Sequence, residues 1–253
     1  MQPYLSLVIP VYNEAERIEG TLTSVIAYLR QQPYTAEVLV VDDGSEDETA
    51  EIVSRYYPEV ELVQLSQNRG KGAAVREGML RARGRFRVFT DADLSTPIEE
   101  LEPMLFHLEQ DADVCIGSRE LDPTQLVRPQ PRYRRWMGRL FRRLVQWLVF
   151  SDLPLLRAIE DTQCGFKGFR AEVAEALFRQ ARLDGFGFDV ELLYLAARAG
   201  YRIVQIPIRW RNDPRSRVHL LRDPFRMLIE IARIRHLHRD SVTLTSRLGS
   251  PTL

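Results

Sequence analysis

The chain has 253 residues, enough for one large domain with a substantial core, and its 35 basic residues balance 35 acidic ones, so global charge gives no argument for nucleic acid. Hydrophobic residues make up 45% and charged residues 28%, the proportions of an ordinary soluble protein. Its two cysteines, Cys115 and Cys164, lack metal-type spacing and fit a reducing compartment, and no apolar run approaches the roughly 18 residues that span a bilayer.

No basic segment followed by an apolar core opens the chain, so no signal peptide is expected. Leu5 to Val11 reads as a continuous apolar strand buried on both faces, with Pro10 at its carboxyl end, where it removes no central ladder bond. Asn13 is placed to cap the next helix, whose Ile18, Leu22, Val25, Ile26 and Leu29 recur at helical spacing. A second strand, Glu37 to Val41, runs into Asp42-Asp43-Gly44-Ser45, and Ser45 with Glu48 has the spacing of a capping box for a helix reaching about Tyr57. A third strand, Glu61 to Leu65, leads through Asn68-Arg69-Gly70-Lys71-Gly72 into a helix over roughly Ala73 to Ala82. A fourth, Phe86 to Thr90, ends in Asp91-Ala92-Asp93, after which Thr96 and Pro97 are placed to open a helix; Asp113 to Gly117 is a fifth. Strand and helix alternating with short loops predict a parallel α/β sheet with right-handed crossovers.

Such sheets bind ligands outside the carboxyl ends of their strands. Tyr12 and Glu14, Asp42 and Asp43, Arg69 and Lys71, and Asp91 and Asp93 all follow strand ends, so four elements deliver charge to one edge. Residues i and i+2 in an extended or tightly turned backbone point the same way, so Asp91 and Asp93 can face one cleft. Two hard oxygen donors suit Mg²⁺ or Mn²⁺, which keeps water and substrate phosphate as its other ligands. The turn after the third strand has only part of the dinucleotide glycine pattern, and Gly72 follows Lys71 where a P-loop needs Ser or Thr. Its glycines still allow close backbone approach, and the helix N-terminus there favours an anion.

These residues carry a resemblance. Val8-Ile9-Pro10-Val11-Tyr12-Asn13-Glu14, Val41-Asp42-Asp43-Gly44-Ser45 and Asp91-Ala92-Asp93 resemble the family 2 glycosyltransferases of GT-A fold. Gly70 to Met79, Gly117-Ser118-Arg119, Asp161-Thr162-Gln163-Cys164-Gly165-Phe166-Lys167 and Gly187-Phe188-Asp189-Val190-Glu191-Leu192-Leu193 look like the dolichyl-phosphate β-glucosyltransferase branch. The resemblance covers about Leu5 to Arg235. It implies a Rossmann-like, mostly parallel sheet with flanking helices. It implies that Pro10, Tyr12 and Glu14 line a nucleotide pocket and that Asp42 binds the uracil and ribose side. Asp43, Lys71 and Ala92 belong to the same donor-binding set. Asp91 would sit near ribose and metal, Asp93 would hold the metal on the diphosphate, and Gln163 would face the donor sugar or the acceptor phosphate. Asp161 and Arg119 join Asp91, Asp93 and Gln163 as candidate catalytic residues. The family's G-S-K stretch stands here as Arg215-Ser216-Arg217.

The expected acceptor is a polyprenyl phosphate. A phosphate monoester, with its second pKa near ~6, is already an anionic nucleophile at neutral pH. It needs a cationic clamp more than a base, and the candidates are Arg119, Arg128, Arg132, Lys167, Arg215 and Arg217. Direct displacement would invert the sugar. The alternative, transfer to a saccharide or lipid hydroxyl, demands a base such as Asp189, Glu191 or Asp161. A non-catalytic nucleotide-sugar sensor docked on membranes is the other class. His107, His219, His236 and His238 form no cluster; His219 follows the Arg215–Arg217 loop and could touch diphosphate.

From Arg128 to Arg143 run seven arginines and no acid, interleaved with Trp136, Met137, Leu140, Phe141, Leu144, Val145, Trp147 and Leu148 at helical spacing. Such a helix suits a lipid interface or packing on the domain. A second stripe, over about 223–239, repeats the theme with Phe225, Leu228, Ile231, Ile234 and Leu237, and packing on the domain suits it better. No nucleic-acid motif accompanies these arginines. The expectation is therefore one domain over 1–240, with a membrane-facing insertion at 128–150, a C-terminal amphipathic helix at 223–239 and a loosely ordered tail at 241–253. It would transfer a hexose, glucose foremost, from a UDP-sugar to a polyprenyl or dolichyl phosphate with Mg²⁺ or Mn²⁺, peripherally on the cytoplasmic face of a membrane.

Overall fold

The computed structural model describes residues 2–122, 126–128, 143–151, 153–211 and 222–239, with backbone alone for 126–128, 154–155 and 222–225. In chain order the strands are β1 (Leu5–Val11), β2 (Ala36–Asp42), β3 (Val60–Gln64), β4 (Phe86–Phe89), β5 (Val114–Ser118), β6 (Leu126–Arg128), β7 (Lys167–Arg170), β8 (Ile203–Pro207) and β9 (Trp210–Arg211). The helices are α1 (Ile18–Leu29), α2 (Thr49–Ser54), α3 (Lys71–Arg81), α4 (Leu101–Gln110), α5 (143–148), α6 (Pro154–Arg157), α7 (Ala171–Gln180), α8 (Phe188–Arg198) and α9 (Arg222–Leu237).

Seven strands make one sheet in the order β3-β2-β1-β4-β7-β5-β8. The first four pair in parallel, as expected. β7 was not foreseen: it lies antiparallel between β4 and β5, so the sheet is mixed at its centre. A second, two-stranded sheet joins β6 to β9.

Period-two alternation divides the core between the two sheet faces. Leu5, Leu7, Ile9 and Val11 of β1, with Val38 and Val40 of β2, meet α1 and α4 on one face. Val8, Leu39, Val41 and Val63 meet α3, α7, α8 and α9 on the other. Each fully buried aliphatic or Phe side chain contributes about 1.5–3 kcal/mol, so these two layers hold the strand ends in place.

Two local expectations change. Asn13 does not cap α1, which begins at Ile18; it sits at φ 54° and its side-chain oxygen accepts from Glu46 N. Ser45 and Glu48 form no capping box, because α2 starts at Thr49 without a side-chain cap bond and Ser45 is turned to Asp42 and Asn13. In both cases a side chain free to cap a helix is spent on holding two loops together.

The C-terminal helix packs on the domain, the reading its apolar stripe favoured over a lipid face. Met227, Ile231 and Ile234 of α9 are buried in the cluster that includes Val190 and Leu193 of α8. Its apolar side already has a protein partner, and Arg226, Ile229 and Arg233 remain outside. Residues 129–142, most of the arginine-rich insertion, lie outside the described residues, as does the tail at 241–253. Among the described residues, no helix is long and apolar enough to cross a membrane.

Candidate active site

The loops after β1 and β2 are laced together. Asn13 N donates to Ser45 Oγ at 2.8 Å, Glu14 N to Thr49 Oγ1 at 2.7 Å and Ala15 N to Asp47 Oδ2 at 3.2 Å. Asp42, 1% exposed, accepts from both the amide and the hydroxyl of Ser45. This lacing leaves Tyr12 exposed at the rim above half-buried Pro10, while Glu14 pairs with Arg17.

Asp43 works from inside. It is buried, and its two oxygens accept from Arg69 N and Gly70 N, each at 2.8 Å. Burial raises its pKa. Expected among the donor contacts, Asp43 instead holds the loop that opens α3. Gly70 stands at φ 111° in that loop, and a Cβ there would lie 2.5 Å from Asp184 O.

At the end of β4 the chain turns through Asp91, Ala92 and Asp93. Thr21 of α1 donates to Ala92 O at 2.5 Å and steadies the turn. Lys71 Nζ donates to Asp91 Oδ1. Burial works against the Lys71 charge, but Asp91 and Asp189 outweigh it and hold its pKa above the ordinary lysine value. Asp93 Oδ1 accepts from Ser95 N at 2.9 Å. Burial, reinforced by the charge of Asp91, raises its pKa. Two carboxylates set this close are a good fit to a hard dication, which offsets their like charges. Among the described residues, no group of three or more Asp, Glu, His or Cys could hold a metal ion.

The far wall comes from β5 and the segment before β7. Arg119 binds Asp161 through both ends of its guanidinium, at 2.6 and 2.8 Å, and its amide donates to Asp161 at 3.1 Å. Its guanidinium carbon lies 5.4 Å from the centre of the Trp210 ring. Burial opposes the ionisation of Asp161, but Arg119 prevails and lowers its pKa. Gln163 donates from Nε2 to the Met227 sulfur at 2.6 Å, so its side chain is turned toward α9.

Lys167 is the clearest departure from expectation. It is 0% exposed, with Nζ donating to the Asp189 carboxylate and, at 2.6 Å, to Cys164 O. Both of these acceptors lie inside the protein, so Lys167 is corrected from a phosphate clamp to an internal ion-pair partner. Arg128 is described by backbone alone, paired with Arg211; Arg132, Arg215, Arg217 and His219 lie outside the described residues.

All three acids considered as bases are engaged. Asp161 is held by Arg119, and Asp189 by Lys167. Glu191, 0% exposed, accepts from Arg182 N and Leu183 N at 2.9 Å each and lies 2.6 Å from His238 Nε2. Three contributors were missed from sequence: Arg17, Gly165 and Trp210. Arg17 had a signal, since it stands three residues after Glu14 at the head of a helix. Gly165 stood inside the Asp161–Lys167 motif without an assigned role and Trp210 had no signal, because their partners Asp91 and Arg119 are distant in the chain.

Residues 6–178 match the model of the family described as Glycosyl transferase family 2. The dolichyl-phosphate beta-glucosyltransferase of Dictyostelium discoideum is 33% identical over 247 residues, covering 92% of this chain and 74% of that protein. Its namesake in Drosophila melanogaster is 36% identical over 230 residues, covering 85% and 69%. In fold the chain is similar to glucosyl-3-phosphoglycerate synthase from Mycobacterium tuberculosis, solved in complex with Mn²⁺, uridine-diphosphate and phosphoglyceric acid. The TM-score is 0.63 at 20% identity, over 92% of this chain and 77% of that one.

Proposed function

The chain belongs to glycosyl transferase family 2, and from that membership we propose that it transfers glucose from UDP-glucose to the phosphate of a polyprenyl or dolichyl lipid. The observation that carries the acceptor class is the state of the three candidate bases. Asp161, Asp189 and Glu191 are all engaged, so a hydroxyl acceptor would find no ready base among them. A phosphate monoester needs none, since it is anionic at neutral pH. A sensor without turnover would keep the same nucleotide pocket and lack metal-dependent release of UDP.

The chain's own residues divide the work. Tyr12, Pro10, Glu14 and Asp42 border the pocket for the nucleotide, and Asp43 holds the α3 loop beside it. Asp91 and Asp93 would hold Mg²⁺ or Mn²⁺, which when bound offsets the charge that builds on the departing diphosphate. Lys71, at the head of α3, adds a cation on the same side. Arg119, a quarter exposed and locked by Asp161, presents a fixed positive group across the cleft for an incoming phosphate. Arg215 and Arg217 are read as the remaining clamp. The anionic acceptor displaces UDP directly and leaves a β-linked product. Elements through about residue 240 are read as a single domain.

A lipid-borne acceptor calls for a protein that meets the membrane surface, on its cytoplasmic face in this reading. The arginine- and tryptophan-bearing stretch at 128–150 is the proposed contact. Trp147 at its described end is 74% exposed, which supports that reading, while Val145, Val149 and Phe150 beside it anchor the stretch in the domain core.

The test uses purified protein, UDP-glucose, a short polyprenyl phosphate and Mn²⁺, with and without chelator. Chelator-sensitive lipid-linked glucose, lost in Asp93→Ala, is the expected result. UDP release without sugar on lipid would overturn the acceptor, and no turnover with metal present would favour the sensor.

A further inference from the structure

A buried ion pair next to the cleft has no part in the chemistry above. Lys167 is 0% and Asp189 3% exposed, and taking both charges out of water costs more than an apolar pair would. Stability alone is therefore a poor reason for its presence, and its bonds suggest another. Lys167 Nζ binds Cys164 O at 2.6 Å as well as the Asp189 carboxylate. The next residue, Gly165, lies on Asp91, with room for no side chain between them. Phe188, which precedes Asp189, packs its ring 5.8 Å from that of Phe89, two residues before Asp91. Its Cβ also abuts Gly72 at the head of α3, the helix that carries Lys71. One ion pair thus ties together the turn over Asp91, the strand β4 that leads into Asp91 and the helix start that supplies its counter-ion.

We propose that Lys167 and Asp189 are a positioning pair that sets where the Asp91 carboxylate stands, and so how well the protein holds metal-bound UDP. This rests on the donor-site reading given under Proposed function. Asp189 is then neither a base nor a phosphate ligand. Its charge serves to hold Lys167 on Cys164 O.

The test is the double variant Lys167→Met/Asp189→Leu, which removes both charges together and leaves no unpaired ion. Binding of Mn²⁺ with UDP is read by calorimetry, without turnover. The variant is expected to melt close to the parent, to bind Mn²⁺–UDP about 10–100-fold more weakly, and to lose kcat while its KM for lipid phosphate holds. Unchanged Mn²⁺–UDP affinity and kcat would make the pair merely structural and overturn the proposal. So would an Asp189→Asn enzyme whose residual kcat no longer falls on the parent's acid limb, while Lys167→Met stays active and keeps that limb, since Asp189 would then act as a base. Should the double variant not fold, Lys167→Arg keeps the charge but changes the reach to Cys164 O. Weakened binding there supports the proposal, and parent-like binding overturns it. A parent protein that binds no Mn²⁺–UDP overturns the donor-site reading itself, an outcome distinct from a binding parent with unaffected variants.

Discussion

Gly165 lies so close to Asp91 that a Cβ added to it would stand 2.1 Å from the Asp91 carboxylate oxygen Oδ2. Gly165→Ala must therefore push that carboxylate aside or shift the turn that carries the glycine. A misplacement of about 1 Å at a reacting site costs on the order of 10²-fold. The expected outcome is a folded protein whose kcat/KM for UDP-glucose falls by about that factor, read by UDP release beside a melting curve.

Arg119 and Asp161 make a two-pronged bond in a mostly buried setting. The Asp161 pKa is lowered on folding, so its contribution to stability is present above the ordinary carboxyl pKa of about 4 and lost as pH falls through the folded value. Arg119→Met leaves Asp161 buried without its partner, at a cost of about 3–5 kcal/mol at pH 7. That cost should shrink toward pH 4 and below, where Asp161 can take up a proton. Denaturant unfolding of parent and variant across pH 3–8 measures the difference directly.

Cys115 and Cys164 are buried, and burial pushes both thiols up to about 12. Neither should react with a thiol reagent at pH 8 in the folded protein, and both should react once it is unfolded in urea. Fast native labelling of Cys164 would show that the turn over Asp91 opens readily.

Glu191 accepts two backbone amides and faces His238 with no water access. Glu191→Ala orphans those amides and is expected to lower stability by about 2–4 kcal/mol. Hydrogen exchange should rise first at Arg182 and Leu183 and near the C-terminal end of α9, where Arg182 and Arg198 also bind the Leu237 and His238 carbonyls.

Strands buried on both faces were legible in the sequence because they are long apolar runs. β1 occupies the residues expected of it, and β2 to β5 fall within a residue or so of expectation. β7 was not legible. It is four residues long and begins Lys-Gly, and nothing in that composition reveals that it is inserted antiparallel at the sheet's centre. The acids at the strand ends were equally plain, since their positions follow from where the strands stop. What each acid does with its oxygens was not, because the partners come from other loops. Asp43 is spent on the amides of Arg69 and Gly70, and Lys167 on Asp189. Asn13 and Ser45 were read as helix caps because capping is the local use of such residues, and here a non-local use won.

The place of β7 also governs how the chain can assemble. β4 and β5 are separated by only a short stretch of sequence, yet they do not touch: the strand that joins them arrives at residues 167–170. Until that segment has left the ribosome, the β1–β4 sheet and the single strand β5 lack the seam between them, and β8, the other neighbour of β5, is not yet made. A nascent chain cut short before Lys167 would display the open edges of β4 and β5 side by side, each a template for unwanted pairing. The same strand that brings Lys167 beneath the cleft is thus the one whose arrival lets the sheet close.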